Sequence, residues 1–141
     1  MVLVDSSVWI EALRRRGSLE VKCAVEVLLD EYEATMSSPT RLEVLGGARE
    51  SERRELNQRF SVLPYLRVHE DDFTAATQQA WTLAKKGIRV PWFDLLTAAI
   101  ALRANCRVFS IDKHFEEMKT HLGLTLYEPG YGGKFSPESN S

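Results

Sequence analysis

Four carboxylates lie at points in the sequence where they could act together on an ion or a substrate: Asp5, Glu43, Asp94 and Asp112. Asp5 follows a short apolar run that begins at Met1, and Asp112 ends a second apolar run that begins at Arg107. Such runs are typical of strands buried on both faces of a parallel sheet. Because ligands bind beyond the carboxyl ends of such strands, we expect Asp5 and Asp112 to share one acidic pocket.

This group of carboxylates predicts a site for a divalent cation. Converged carboxylates repel one another, so a buried cluster either raises its own pKa values or holds cations. Oxygen ligands without His or Cys partners suit Mg²⁺ or Mn²⁺ better than zinc. His69, His114 and His121 show no spacing typical of metal ligands, and none of them is assigned to a metal.

Two serines lie close in sequence to the aspartates that end the strands. Ser7 and Ser110 are each two residues from a carboxylate of the group. Their hydroxyls could donate hydrogen bonds to those carboxylates or contact a water bound to the metal. An ordinary role in a helix turn or a strand is an equally good interpretation.

Each carboxylate also has a structural interpretation when it is considered alone. Asp5, Asp94 and Asp112 all precede helical patterns, where aspartate is a preferred N-cap. Glu43 follows Thr40 at the spacing of a capping box. Capping gives no reason for carboxylates to converge on one edge of a sheet, so the joint pattern favours a common site.

Helical and extended patterns alternate along the chain, which predicts an α/β domain with a mainly parallel, four- or five-stranded sheet flanked by helices. The first helix is expected from Ser6 to about Arg16, and Ser18 is expected to cap the second. Besides the two strands that end in aspartates, strands are expected at 34–37, at 61–68 and, along an edge, at 124–127.

Two later helices are expected to pack differently. In the helix that starts near Glu70, six residues form a stripe that is predicted to be buried: Phe73, Ala76, Thr77, Ala80, Trp81 and Ala84. The helix that carries Asp94 is apolar on nearly all sides from Leu95 to Leu102, which predicts a position deep against the sheet.

The composition is that of a globular domain without a membrane anchor. The chain has 141 residues, of which 44% are hydrophobic and 27% charged, and its net charge is −2. No apolar run approaches the roughly 20 residues of a spanning helix, no signal peptide is recognisable, and two cysteines are too few for a disulfide framework. We therefore expect a cytoplasmic protein with one domain over residues 1–128 and a polar, flexible tail over 129–141.

The segments around the carboxylates resemble the PIN-domain family, and especially the VapC-like toxins of bacterial toxin–antitoxin pairs. Four segments carry the resemblance in the same order: 2–10 (VLVDSSVWI), 42–46 (LEVLG), 93–101 (FDLLTAAIA) and 109–115 (FSIDKHF). Each motif alone has low specificity, but the four together, at these separations, cover residues 1 to about 128. No acid of the family pattern is missing.

The resemblance implies a three-layer PIN-like fold and a Mg²⁺- or Mn²⁺-dependent endoribonuclease. The positions of Asp5, Glu43, Asp94 and Asp112 match the metal-site acids of that family, and Ser7 and Ser110 match nearby hydroxyls. It further implies hydrolysis of RNA by a metal-activated water, a homodimer, and a small VapB-like antitoxin whose tail covers the cleft. Transfer RNA and ribosomal RNA are both possible substrates.

Basic and aromatic side chains near the acids are candidates for contacts with RNA. Arg14, Arg41 and Lys113 could bind phosphates, although balancing charge at the surface is the commoner role of such residues. Trp92 lies beside one of the acids and could stack on an unpaired base, whereas Trp9 is expected to pack in the core.

Two other functions remain open on the sequence alone. The chain could be a PIN nuclease of RNA processing without an antitoxin, or a non-catalytic PIN-like module that only binds RNA or protein. Loss of one or more acids usually marks such a module, and all four are present here. A phosphatase with an aspartyl nucleophile is disfavoured, because Ser7 occupies the place of its second aspartate.

Overall fold

One parallel sheet, with β1 in its interior, organises the fold. The structure, a computed structural model, describes residues 1–130. Four strands form the sheet: β1 (Val2–Val4), β2 (Ala34–Ser37), β3 (Tyr65–Leu66) and β4 (Arg107–Phe109). Their order is β3–β2–β1–β4 and every pairing is parallel, which confirms the predicted α/β sheet.

Helices cover both faces of this sheet. Within residues 1–130 they are α1 (Ser6–Leu13), α2 (Leu19–Asp30), α3 (Ser38–Gly46), α4 (Glu50–Ser61), α5 (Glu70–Ala84), α6 (Trp92–Ala104) and α7 (Lys113–Leu122). Because successive residues of a strand point to opposite faces, β1 contributes to two cores. Val2 and Val4 pack with residues of α1, α2 and α4, whereas Leu3 packs with residues of α5, α6 and α7. The result is the expected three layers.

Helix α6 lies deep in the second core, as predicted. Every residue from Asp94 to Ala101 is buried. The Thr97 hydroxyl is satisfied within the helix, because it donates a hydrogen bond of 2.8 Å to the Phe93 carbonyl oxygen. Asn105 ends the helix in the left-handed conformation at φ 52°. A helix packed on all sides in this way gives the Asp94 carboxylate a fixed position.

An ion pair between a buried aspartate and an exposed arginine fixes α5 against α6. Asp72 is 1% exposed, and its carboxylate accepts hydrogen bonds from Arg103 Nε at 2.8 Å and from the His69 backbone at 2.7 Å. Arg103 Nη2 also donates to the Arg67 carbonyl oxygen at 2.9 Å. Burial raises the pKa of Asp72, but the hydrogen bonds from Arg103 and His69 outweigh it and leave that pKa lowered.

The buried stripe predicted for α5 was only partly right, because Ala76 and Ala80 pack against the second core but the aromatic residues do not. Phe73 is 48% exposed and Trp81 is 65% exposed, whereas Asp72 and Leu83 are buried. The ion pair of Asp72 turns its side of the helix towards α6, so the large aromatic residues of the predicted stripe face solvent instead. A pattern of apolar spacing identifies a helical face but cannot anticipate a buried carboxylate with a partner on another helix.

Two elements are shorter in the structure than the sequence predicted: the strand expected at 61–68 and the first helix. Helix α4 extends through Ser61, and only Tyr65 and Leu66 pair with β2, at the edge of the sheet and partly exposed. Helix α1 ends at Leu13 rather than near Arg16. The last expected strand is reduced to one parallel bridge between Val108 and Leu126.

Other sequence predictions agree with the structure. The Ser18 hydroxyl accepts a hydrogen bond from the Val21 backbone and so caps α2. Trp9 is 4% exposed, with its ring 5.2 Å from that of Phe60. No helix in the described range is both long and apolar enough to cross a membrane. The tail predicted for 129–141 falls mostly outside the described residues, so the boundary at 128 stays a prediction.

Candidate active site

The pairing of β1 with β4 places the two strand-ending segments side by side. Val4 is in register with Phe109, and the Asp5 backbone donates a hydrogen bond of 2.9 Å to the Phe109 carbonyl oxygen. The Ser7 and Ser110 hydroxyl oxygens lie 3.2 Å apart across the strand ends. The structure therefore brings together the segments that follow the two strands, as their apolar runs predict.

Asp5 is a buried carboxylate with one oxygen fixed and the other without a partner. It is 1% exposed. Its Oδ2 accepts hydrogen bonds from the Ser7 hydroxyl at 2.7 Å, the Ser110 hydroxyl at 3.1 Å and the Ser7 backbone at 3.3 Å. Oδ1 is buried without a hydrogen-bond partner. Asp5 thus caps α1 through one oxygen and leaves the other for a ligand.

Glu43 does not belong to a capping box. Helix α3 begins at Ser38 with Ser37 as its N-cap, so Glu43 lies in the body of the helix. Its Oε1 accepts a hydrogen bond of 3.2 Å from the Ser6 hydroxyl at the start of α1. The side chain is half-buried and faces the ends of the strands rather than the start of its own helix.

Asp94 completes a group of three acids, in which Asp5 follows β1, Glu43 lies in α3 and Asp94 lies in α6. It is the third residue of α6, after the N-cap Pro91, and it makes no capping hydrogen bond. It is 7% exposed. Asp5, Glu43 and Asp94 each offer a carboxylate oxygen, and these three oxygens lie within 4.8 Å of one another. Capping therefore does not account for the position of Asp94.

Asp112 stands at the rim of this group together with His114, which the sequence analysis did not assign to a metal. Asp112 Oδ1 caps α7 by accepting a hydrogen bond from the His114 backbone at 3.0 Å. His114 Nδ1 lies 2.8 Å from Asp112 Oδ1 and 3.3 Å from Asp94 Oδ2. Asp94, Asp112 and His114 thus form a second group, whose ligand atoms lie within 4.8 Å of one another. The spacing of Asp112 and His114 in the sequence is only a weak signal of this group, because Asp94 comes from α6.

The carboxylates destabilise one another's charged forms. Burial raises the pKa of Asp5, against hydrogen bonds from Ser7 and Ser110 that lower it. Burial and then the charge of Asp5 raise the pKa of Glu43. Burial, followed by the charges of Asp5, Asp112 and Glu43, raises the pKa of Asp94 to about 7. The charge of His114 lowers the pKa of Asp94, but it does not outweigh burial and the neighbouring carboxylates. The protein alone therefore disfavours the fully ionised form of this cluster.

The donor set fits a divalent cation. Carboxylate oxygens are hard ligands of the kind that Mg²⁺ and Mn²⁺ prefer. The buried, unpartnered Oδ1 of Asp5 is the sort of atom that a bound ion would satisfy. A positive charge would also offset the burial and the repulsion that together raise the pKa of Asp94.

The basic side chains that were predicted to contact RNA differ in whether they already have partners in the protein. Arg41 is held by the protein, since its guanidinium lies 5.6 Å from the Tyr65 ring centre and donates to Asn57 Oδ1 at 3.1 Å. Arg14 forms an exposed pair of 3.4 Å with Glu11. Lys113 is exposed at the start of α7.

The raised pKa of Asp94 predicts how the stability of the cation-free protein depends on pH. In the unfolded chain Asp94 ionises near 3.8, whereas in the folded protein it stays protonated up to about 7. The free energy of unfolding therefore falls as pH rises between these values. Asp94→Asn removes this contribution and raises the free energy of unfolding at pH 7.5 by more than about 1 kcal/mol.

Urea unfolding in EDTA at pH 5 and pH 7.5 measures the effect. Asp30→Asn is a suitable control, because Asp30 is an exposed carboxylate at the end of α2. The control is expected to keep the wild-type pH dependence. An equal loss of stability with pH in the wild type and in Asp94→Asn would contradict the electrostatic account of the site.

Comparison with known proteins identifies the family. A model of the PIN domain matches residues 2–120. Ribonuclease VapC11 of Mycobacterium tuberculosis is 35% identical over 123 residues, which cover 82% of this chain and 90% of that protein.

Solved structures share the fold at lower sequence identity. VapBC2 from Rickettsia felis, bound to a DNA fragment from its promoter, matches with a TM-score of 0.71 and 18% identity over 89% of this chain and 97% of that one. VapC20 of M. tuberculosis, a toxin that cleaves the sarcin–ricin loop, matches with a TM-score of 0.66 and 17% identity over 92% and 100% of the two chains. The chain therefore belongs to the PIN domain family and is related within it to the VapC ribonucleases.

Proposed function

We propose that this protein is a divalent-cation-dependent endoribonuclease and the toxin of a VapBC-type toxin–antitoxin pair. The observation that carries the proposal is the convergence of Asp5, Glu43 and Asp94, whose oxygens lie within 4.8 Å of one another at the end of the sheet. The relationship to ribonucleases at 35% identity supports RNA as the substrate. The four acids make a module that only binds RNA a weaker interpretation than a nuclease.

Asp5, Glu43 and Asp94 would hold the cation, Mg²⁺ or Mn²⁺, with Asp112 at the rim of the site. When bound there, the cation supplies the positive charge that attracts a phosphodiester and makes a nearby water more acidic. Ser7 and Ser110 keep Asp5 in one orientation through hydrogen bonds of 2.7 and 3.1 Å. Their role is to position a carboxylate whose second oxygen has no partner in the protein.

The rim of the cleft offers contacts for RNA. Lys113 follows Asp112 directly and is exposed, so its ammonium group is free to approach a phosphate. Trp92 is 75% exposed two residues before Asp94, and its ring could stack on an unpaired base. Arg14 and Arg41 are weaker candidates, because each already has a partner in the protein.

Cleavage of RNA by the purified protein tests the proposed activity. We expect discrete fragments from total bacterial RNA in Mg²⁺ or Mn²⁺ and none in EDTA. Asp94→Asn should lower the rate by about 100-fold or more, because charge stabilisation by a bound cation is worth several kcal/mol. The control variant Asp30→Asn, which removes a carboxylate outside the site, should cleave RNA as the wild type does.

The ends of the fragments test how the bond is broken. A water nucleophile leaves a 5′-phosphate and a 3′-hydroxyl, whereas attack by the RNA 2′-hydroxyl leaves a 2′,3′-cyclic phosphate. Cyclic phosphate ends, or cleavage that persists in EDTA or in Asp94→Asn, would contradict the proposal. The fragment ends would also name the target, for which transfer RNA and ribosomal RNA loops are both candidates.

The partner of the toxin would be a small VapB-like antitoxin. Several solved relatives of the same fold are complexes of this kind, including VapBC2 from Rickettsia felis and VapBC from Salmonella typhimurium. The occurrence of such complexes among the relatives favours a toxin over a PIN nuclease of RNA processing. A small open reading frame beside this gene whose product copurifies with the protein and inhibits cleavage would support the pair.

We also propose that the protein forms a homodimer through one face of α5. This face, the α5 face, consists of Glu70, Phe73, Thr77, Trp81 and Lys85, which share one side of the helix at spacings of three or four residues. All five side chains are exposed. A groove of about 670 Å³, lined by Phe73, Trp81 and Trp92 among others, lies beside it.

The α5 face is complementary to itself. Phe73 and Trp81 each lie four residues from Thr77, and the opposite charges of Glu70 and Lys85 flank them. In a two-fold interface the contact of one residue with another occurs twice. Antiparallel packing of two α5 helices would therefore place Phe73 near Trp81 and Glu70 near Lys85 of the second copy.

A charge reversal and its compensation test this dimer. We expect analytical ultracentrifugation to show a dimer that Lys85→Glu weakens by about 10-fold or more, because two like charges then face each other at each end. Adding Glu70→Lys to Lys85→Glu should restore the dimer. The control is Lys119→Glu, which makes the same charge change at an exposed position on α7 and should not affect the dimer. A monomeric wild type, or a double variant no more dimeric than Lys85→Glu, would overturn this interface.

A further inference from the structure

His114 lies where it can bind a cation together with two of the acids. Asp94, Asp112 and His114 each offer a ligand atom, and these three atoms lie within 4.8 Å of one another. Asp94 also belongs to the group with Asp5 and Glu43, so the two groups share one carboxylate. The second group differs from the first because it contains a nitrogen donor.

The distances around His114 Nδ1 match those between neighbouring ligands of one ion. Two ligands at right angles, each about 2.1 Å from an octahedrally coordinated ion, lie about 3.0 Å apart. His114 Nδ1 is 2.8 Å from Asp112 Oδ1 and 3.3 Å from Asp94 Oδ2. One measured separation is thus slightly shorter, and the other slightly longer, than the separation expected between two ligands of one ion.

The nitrogen itself is buried but makes no hydrogen bond of good geometry with either carboxylate. Nδ1 has less than 1 Å² of accessible surface and no hydrogen-bond partner, although both carboxylate oxygens are close. In the same cluster Asp5, 1% exposed, also has a buried oxygen without a partner. Each of the two groups that share Asp94 thus contains one buried atom without a hydrogen-bond partner.

We infer that His114 is a nitrogen ligand of a second cation position, formed with Asp94 and Asp112, that prefers a transition-metal ion such as Mn²⁺ over Mg²⁺. Imidazole nitrogen is a softer donor than carboxylate oxygen and is a poor ligand for Mg²⁺. Asp94 would contribute to both positions. This inference rests on the proposed function, since it concerns the same cluster of acids.

Pulsed electron paramagnetic resonance of the Mn²⁺-loaded protein tests the inference without measuring cleavage. A histidine nitrogen bound directly to Mn²⁺ gives a ¹⁴N modulation of the electron spin echo. We expect this modulation in the wild type and its loss in His114→Gln. His121→Gln is the matched control, because His121 lies on the same helix but contacts Lys86 rather than the acids.

Calorimetric titration with each ion gives a second, independent measurement. His114→Gln is expected to weaken Mn²⁺ binding by about 10-fold or more while changing Mg²⁺ binding much less. His114→Asp restores an anionic oxygen ligand, so it should lose the ¹⁴N modulation yet regain affinity with a preference shifted towards Mg²⁺. Folding of each variant is checked by circular dichroism.

The outcomes separate this inference from the proposed function. If the wild type binds Mn²⁺ without a ¹⁴N modulation, or if His114→Gln leaves the modulation unchanged, His114 is not a ligand. The proposed nuclease, which rests on the acids, is unaffected by that result. If the wild type binds no Mn²⁺, the proposed cation site and this inference fail together. If His114 binds Mn²⁺ but RNA is not cleaved, only the proposed activity fails.

Discussion

Mutual repulsion among carboxylates at one edge of the sheet is the constraint on which the rest of the structure depends. Asp5 is held there by burial and by hydrogen bonds from Ser7 and Ser110. Asp94 is held by a helix that is packed on all sides. Burial, followed by the repulsion among these carboxylates, raises the pKa of Asp94 to about 7. A fold that preserves such a cluster is suited to binding positive charge.

Two of the acids serve both the fold and the site. One oxygen of Asp5 caps α1, while the other has no partner. Asp112 caps α7 through Oδ1, and the same oxygen lies 2.8 Å from His114 Nδ1. Capping and ligand binding were alternatives on the sequence alone, but they are compatible at Asp5, because a carboxylate has two oxygens and a helix start needs only one. Asp94 is different, since it makes no capping contact.

The pairing of the strands that precede Asp5 and Asp112 could be predicted from the sequence, because it depends on local patterns. Two apolar runs that end in aspartate are enough to predict parallel strands whose following segments lie side by side. His114 was not assigned to a metal, because its position between Asp94 and Asp112 depends on how α6 packs against α7. The exposure of the aromatic residues of α5 was missed for a similar reason: the partner of the buried Asp72 is Arg103, on another helix and distant in sequence. Contacts between helices of this kind leave no periodic signal in the chain.

The central claim is that these acids converge in order to hold a divalent cation. Anomalous diffraction from crystals soaked in Mn²⁺ tests it most directly. The account predicts a peak within about 2.2 Å of carboxylate oxygens of Asp5 and Asp94, and its loss in Asp94→Asn. A Mn²⁺ peak only at other surface carboxylates, or a cluster that stays empty at saturating Mn²⁺ and neutral pH, would contradict the account.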